Sequence, residues 1–212
     1  MKKFLLILFG VLMALPSFAF EYTYEGQTLT YRVLNESQRT VSVRRVDDKL
    51  SGAVVIPEIA KDGETQYKVT EIDAWAFSGC TSLTSVTIGN SVTSIGYFAF
   101  RDCSGLSSVV IGNSVETIDF QAFSGCSSLT KAEFASIESL CSIKFEDSGS
   151  NPLYYAHNLY IAGKEVKDLV IPESVTSIGD NAFGSCSGLT SVSIPNSFPC
   201  YGSQAGGRGN EG

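Results

Sequence analysis

One unit, repeated at a fixed interval, limits what this chain can fold into. It runs Ile72, Ala76, Phe77, Cys80, Leu83, Val86, Ile88 and returns as Ile95, Ala99, Phe100, Cys103, Leu106, Val109, Ile111. A third copy reads Ile118, Ala122, Phe123, Cys126, Leu129, Ala132, Phe134, and a last one Ile178, Ala182, Phe183, Cys186, Leu189, Val192, Ile194. The step is 23 residues from Ile72 to Ile95 and again from Ile95 to Ile118; the gap to Ile178 is 60 residues, two periods plus 14. Self-similarity at a period in the twenties is the signature of a solenoid, in which no unit can bury its apolar positions alone and stacked neighbours build one continuous core.

Three of the four copies contain V-x-I, with Ala132 and Phe134 in its place in the third, and the period of two predicts a short strand with Val86 and Ile88 inward and Thr87 outward. Successive coils set these strands side by side as a parallel sheet, about 4.8 Å apart. Gly89-Asn90 and Gly112-Asn113, with Pro172 and Pro195 at the matching phase, end the strands. The segment VTSI (Val92, Ile95) predicts a second extended piece across the coil, Ala-Phe a plug of its interior, and Ser78-Gly79 a turn back. Cys80, Cys103, Cys126 and Cys186 share one phase, and packing as small buried hydrophobes is the favoured reading. Disulfides between adjacent coils need a torsion that stacked parallel side chains rarely give. Zinc wants closely spaced Cys/His sets, whereas these cysteines lie 23 residues apart and the chain has one histidine.

The pattern AF-x-GC-xxL-xxVxI-xNSVTSIG resembles the BspA-type bacterial leucine-rich repeats over roughly residues 54–197. The resemblance implies a right-handed, horseshoe-like leucine-rich-repeat solenoid, mainly β with short helical turns. It also implies a place outside the cytoplasm, at the cell surface or secreted, with adhesion to host or matrix proteins among the expected roles. The family has no shared catalytic residues, so none is carried over.

Residues 1–19 read as a signal peptide: Lys2-Lys3, an apolar run from Phe4 to Leu15, and Ser17-Phe18-Ala19 as a small-x-small cleavage site, with cleavage expected after Ala19. The run is too short for a comfortable membrane span, and no transmembrane anchor is expected after cleavage. Loss of Lys2 and Lys3 takes the formal net charge from −7 to −9. An acidic chain without a basic stripe argues against nucleic acid as a partner. Residues 20–50 alternate differently (Tyr22 and Tyr24; Leu29, Tyr31 and Val33; Val41, Val43 and, less regularly, Val46), which predicts antiparallel strands forming an N-terminal β cap. The solenoid is expected over residues 51–197. Val54 and Ile56 match Val86 and Ile88, and Glu58 to Gln66 is a polar insertion with Asp62-Gly63 as its turn.

After Phe134 the repeat lapses, and an insertion is expected over about residues 135–165. Ser136 to Ile143 reads as a short helix and Asn151-Pro152 as a turn. Leu159 to Ile161 and Val166 to Ile171 read as hairpin arms around Ala162 to Glu165. Tyr154, Tyr155 and Tyr160, near His157, form a candidate aromatic patch; covering the enlarged coil is the favoured reading over a recognition surface. Residues 198–212 keep no repeat phase and read as an irregular, disordered tail carrying Cys200. A naturally short array and a truncated or frame-shifted one both fit this tail, and the second is the expectation.

The inventory for catalysis is poor. His157 has no GxSxG elbow, Gly-Gly-Arg-Gly lacks the strand, helix and GK[ST] of a phosphate loop, and Asp47-Asp48 and Glu146-Asp147 read as solvated turn residues. A non-enzymatic interaction or adhesion module is expected, with no cofactor and no metal. Strand alternation places its face at Ser85, Thr87, Ser108, Val110, Lys131, Glu133, Asp168, Val170, Ser191 and Ser193, mostly small and polar, suited to a protein or glycan ligand such as a host matrix protein. A carbohydrate-binding or nutrient-capture protein using the tyrosines is the alternative, and a structural fragment without its own ligand a further one.

Overall fold

The computed structural model describes residues 19–44 and 50–198. All of the expected leader (residues 1–19) but Ala19, Val46 with Asp47-Asp48, and all of the expected tail (residues 198–212) but Phe198 lie outside the described residues. What is described is mostly β, a solenoid of about six turns.

Strands β1 (Ala19–Tyr24), β2 (Gln27–Asn35) and β3 (Thr40–Val43) form an antiparallel meander, with Phe20, Leu29, Tyr31, Val41 and Val43 buried. The repeat array opens with β4 (Gly52–Ile56). The stretch read as a polar insertion is a hairpin, β5 (Ile59–Asp62) and β6 (Thr65–Ile72), turning at Gly63 with φ +56° and anchored by buried Ala60 and Tyr67. Alternation in β6 continues into Val69 and Ile72, so the hairpin and the first repeat share one strand. Because β3 pairs with β6 in parallel, the meander extends one of the solenoid's own sheets and covers its first coil.

The clear repeats follow: β7 (Leu83–Ile88), β8 (Ser94–Ile95), β9 (Ser108–Ile111), β10 (Thr117–Ile118) and β11 (Lys131–Phe134). Odd-numbered strands join β4 in one parallel sheet, in the register that aligning the repeats gives: Val54 on Val86, Val86 on Val109, Val109 on Ala132. The VTSI segments form the opposite sheet through β6, β8 and β10. Between the sheets, Phe77, Phe100 and Phe123 stack as a spine, with centroids 5.0 and 5.1 Å apart and planes 5° and 10° from parallel. The turn glycines are set by close approach between coils: a Cβ on Gly112 would lie 2.4 Å from the Gly89 carbonyl oxygen, and one on Gly89 2.8 Å from that of Ile56.

The supposed insertion is itself a coil. Helix α1 (Ile137–Ser142) is capped by Ser136, which exchanges hydrogen bonds with Ser139. Strand β12 (Lys144–Phe145) then joins β10, Phe145 on Ile118. Phe123 N donates to Gly149 O as Phe100 N does to Ala122 O, so Gly149 holds the Ala phase and buried Ser150 the Phe phase, where the spine stops. Asn151-Pro152 leads into α2 (Leu153–Ala156), and β13 (Leu159–Ile161) pairs with β11, Leu159 on Ala132 and Ile161 on Phe134. The turn after β13 is Ala162-Gly163 alone, with φ +48° and +78°; its second arm is β14 (Lys164–Glu165), not Val166 to Ile171.

That hairpin ends the first sheet. With β14 on the edge of β13, β15 (Asp168–Val170) pairs only with β16 (Ser191–Ser193), as a separate two-stranded sheet. The last coil is held instead by buried Asn151, whose amide donates to Asn181 O and Ala182 O at 2.7 and 3.1 Å, and by Gly179 N donating to Cys141 O.

Candidate functional site

The expected face splits in two. Pairing aligns Ala53, Ser85, Ser108 and Lys131 in one outward row. A second row runs Val55, Thr87, Val110, Glu133 and Tyr160. Asp168, Val170, Ser191 and Ser193 are exposed but belong to the separate β15–β16 sheet, because β14 occupies the edge on which β15 would have to pair. A continuous face through all ten residues is therefore not what the fold builds. Asp168 is taken up locally, accepting from Ser191 and Thr190 hydroxyls at 2.6 and 3.0 Å, which holds its carboxyl below the usual carboxylate range.

The second row, from Val55 to Glu133, floors a groove of about 680 Å³. Its walls are Tyr22 and Tyr24 from β1, Ile59 and Lys61 from the β5–β6 hairpin, and the strand-ending turns at Gly89 and Gly112. The walls exist because the meander and the first hairpin project beside the sheet end, so the face is less flat than alternation alone implies. At the far end Lys131 and Glu133 serve the fold. The Lys131 ammonium lies 2.9 Å from Glu133 Oε2 and 4.8 Å over the Tyr160 ring, and Glu133 Oε1 accepts the Gly163 N–H at 2.7 Å. These contacts fasten the β13–β14 turn to β11.

The three tyrosines are not one patch. Tyr154 and Tyr155 lie on α2 with rings 5.1 Å apart and nearly perpendicular, Tyr155 packing against the core. Tyr160 belongs to the sheet row beside Glu133. His157 ends α2 in the left-handed region, φ +59°, and its Nδ1 sits 2.9 Å from Ser185 O, so it ties two coils together.

Cys80, Cys103, Cys126 and Cys141 are buried, and none of them is in a disulfide. The Cys103 and Cys126 thiols donate to the carbonyls of Phe77 and Phe100 one coil back, at 3.1 and 3.2 Å. Burial, reinforced by the neighbouring cysteine, pushes the Cys103 thiol up to about 12 and that of Cys126 higher still. Burial likewise raises Cys141 and the half-buried Cys186 to about 11. Such thiols are poor nucleophiles. Among the described residues, no group of three or more His, Cys, Asp or Glu is placed to hold a metal ion.

A feature that strand patterning passed over lies on the flank. Trp75, Tyr97 and Phe120 are exposed, and Phe98 sits between them: 4.4 Å from Trp75, 5.9 Å from Tyr97 and 5.6 Å from Phe120, the last two nearly perpendicular. The Arg101 guanidinium lies 5.0 Å over Phe98 and 5.7 Å over Trp75, with its Nε 3.2 Å from Asp102. Trp75 and Phe98 have φ +62° and +57°, at a phase where other coils place Gln121 and Asn181. The sequence held the signal: Trp75 and Phe98 precede Ala-Phe in successive copies, and Tyr97 and Phe120 fall one position earlier, at phases the core does not use.

Stacked coils, Gly-Asn turns after β7 and β9 and an interior aromatic spine define a leucine-rich-repeat solenoid. The family of BspA-type leucine-rich repeat regions matches in six copies over residues 61–165 and 156–205, crossing the segment read as an insertion. The chain belongs to the BspA-type leucine-rich repeat family. It is similar to a leucine-rich repeat protein of Bacteroides ovatus, at 31% identity over 84% of this chain and 42% of that one, TM-score 0.52. It is also similar to the T. pallidum leucine-rich repeat protein, at 28% identity over 79% of this chain and 69% of that one, TM-score 0.52. A Bacteroides capillosus leucine-rich repeat protein matches at 29% identity over 64% and 94%, TM-score 0.51. The chain spans less than half the length of the B. ovatus protein. No curated protein matches.

Proposed function

We propose that the chain is an exported, non-enzymatic interaction module that binds a protein ligand across the groove on its parallel sheet. The observation that carries this is the outward row Val55, Thr87, Val110, walled by Tyr22 and Tyr24. It offers a shallow, mixed apolar and polar surface with aromatic anchors at its rim, the composition that protein interfaces favour. Family membership supports a surface or secreted location, and no helix among the described residues is long and apolar enough to cross a membrane.

The test is surface binding of the full chain to immobilised fibronectin and fibrinogen. Thr87→Arg and Val110→Arg replace outward side chains without touching the core, and each is expected to abolish retention while leaving the circular dichroism spectrum unchanged. Retention of both variants at native strength, or no retention of the native chain, refutes the assignment. Export is tested separately, by amino-terminal sequencing of the chain recovered outside the cell, which should begin at Phe20.

A further inference from the structure

We propose that the flank ridge of Trp75, Tyr97, Phe98 and Phe120, with Arg101 and Asp102, is a second binding site, and that its ligand is an uncharged glycan lying along the solenoid axis. Tyr97 and Phe120 are each 48% exposed and occupy the same phase of consecutive coils. Both stand nearly perpendicular to the central Phe98 ring, which holds them as a pair. Trp75 packs on the other side of Phe98, and Arg101 covers both. The ridge is therefore preorganised by ring-on-ring contact, and a ligand meeting it does not have to order loose side chains.

Three observations choose the ligand chemistry. Tyr97 and Phe120 recur at one phase of consecutive coils, whose parallel strands stack about 4.8 Å apart, so a polymer of repeating flat units meets them in turn. The faces of sugar rings carry C–H groups that lie well on the electron-rich face of an aromatic ring. The polar groups beside the ridge are an ion pair, Arg101 Nε on Asp102, whose charges cancel locally while supplying donors and an acceptor for hydroxyl groups. A polyanion would meet that aspartate on a chain of net charge −7, which disfavours it. The backbone points the same way. Left-handed φ values at Trp75 and Phe98 are unfavourable for bulky aromatics, at a phase that Gln121 and Asn181 fill at lower cost. Aromatics are kept there although the core makes no use of Trp75, which is exposed.

This site is independent of the sheet groove, and one reporter separates the two. The chain has a single tryptophan, Trp75, so its fluorescence reports on the ridge alone. The full chain is titrated with cellohexaose and with mannohexaose, in low and in high salt. A saturable change in tryptophan emission with at least one sugar, insensitive to salt, is expected. Tyr97→Ala and Phe120→Ala should each weaken it about tenfold, the equivalent of ~1.4 kcal/mol. Tyr97→Phe, which keeps the ring, should bind within about twofold of native, a difference of less than ~0.5 kcal/mol, and Thr87→Arg, at the groove, should not alter the titration. No saturable change with either sugar overturns the proposal. So does a titration unmoved by Tyr97→Ala and Phe120→Ala, or one abolished by high salt.

Discussion

Phe100 is the middle ring of the spine, and its replacement by alanine tests whether stability is shared along the solenoid or concentrated in its centre. The side chain is fully buried and stacks on Phe77 and Phe123. Truncating a buried phenylalanine costs ~3–5 kcal/mol from lost transfer energy and the cavity left behind. Here two ring–ring contacts go at once, each worth ~0.5–1.5 kcal/mol beyond area, which places the expected loss at the upper end of that range. Phe183, the same phase in the last coil, is only half-buried and has no ring partner in the spine, so Phe183→Ala should cost ~1–2 kcal/mol. Phe100→Leu, which keeps most of the apolar volume and loses the stack, should fall near ~1.5 kcal/mol. Urea unfolding of the full chain, followed by far-ultraviolet circular dichroism and by Trp75 fluorescence, measures all three. Equal losses for Phe100→Ala and Phe183→Ala would refute the idea that the spine carries the fold. A lower m-value with transitions that differ between the two probes would mean that the coils melt separately.

Glu133→Ala removes the acceptor of the Gly163 N–H and the partner of Lys131, so the β13–β14 turn should loosen at a cost of ~1 kcal/mol, read as faster amide exchange at Gly163. Unchanged exchange there would contradict the fastening role. The thiols of Cys103 and Cys126 should resist a thiol reagent at pH 8 in the native chain and react on unfolding; rapid native modification would contradict their burial. Because the folded Cys103 thiol is raised from 9.0 to about 12, its stabilising contribution is full below pH 9 and lost as pH rises toward 12, so Cys103→Ala should flatten the alkaline decline in melting temperature. Asp119 is raised above its usual 3.8, first by burial and then by Glu146, so its ionised form is held at a disadvantage in the folded chain. Asp119→Asn should therefore raise stability at pH 7, by less than ~1 kcal/mol since the group is only partly buried, and the gain should disappear below its usual pKa of 3.8; a gain that persisted there would point to a cause other than charge.

Much of the architecture was readable because inward positions repeat. Ile72, Phe77, Leu83 and Val86 return at one spacing, and burial at those phases follows directly from stacking. The coil over residues 135–165 escaped that reading for a physical reason. It fills the same places with other chemistry: Phe145 for isoleucine, Gly149 and Ser150 for Ala-Phe, and a capped helix where its neighbours have a turn. Hydrogen-bond register preserved its identity where residue type did not. The break between β13 and β15 was also hidden, since it depends on two residues, Lys164 and Glu165, folding back onto the sheet edge. The face residues Lys131 and Glu133 could be placed outward by alternation, yet the bond that Glu133 accepts from Gly163 depends on that same turn. The flank ridge was missed because periodicity directs attention to phases that stay apolar in every copy, and the ridge aromatics occupy phases that change from coil to coil.

The detached β15–β16 sheet bears on how the protein moves. Inside the array each coil is gripped on both sides by ladder hydrogen bonds, while the coil over residues 166–198 joins its neighbour mainly through single contacts of Asn151, Gly179, His157 and Gly188. Its Val192 and Ile194 are 54% and 56% exposed, against 1% and 2% for Val86 and Ile88 at the same phases. Amide protection should therefore fall off as a gradient toward this coil, with a step after Ile161. Under pulling force, that step is the place where the spring gives first.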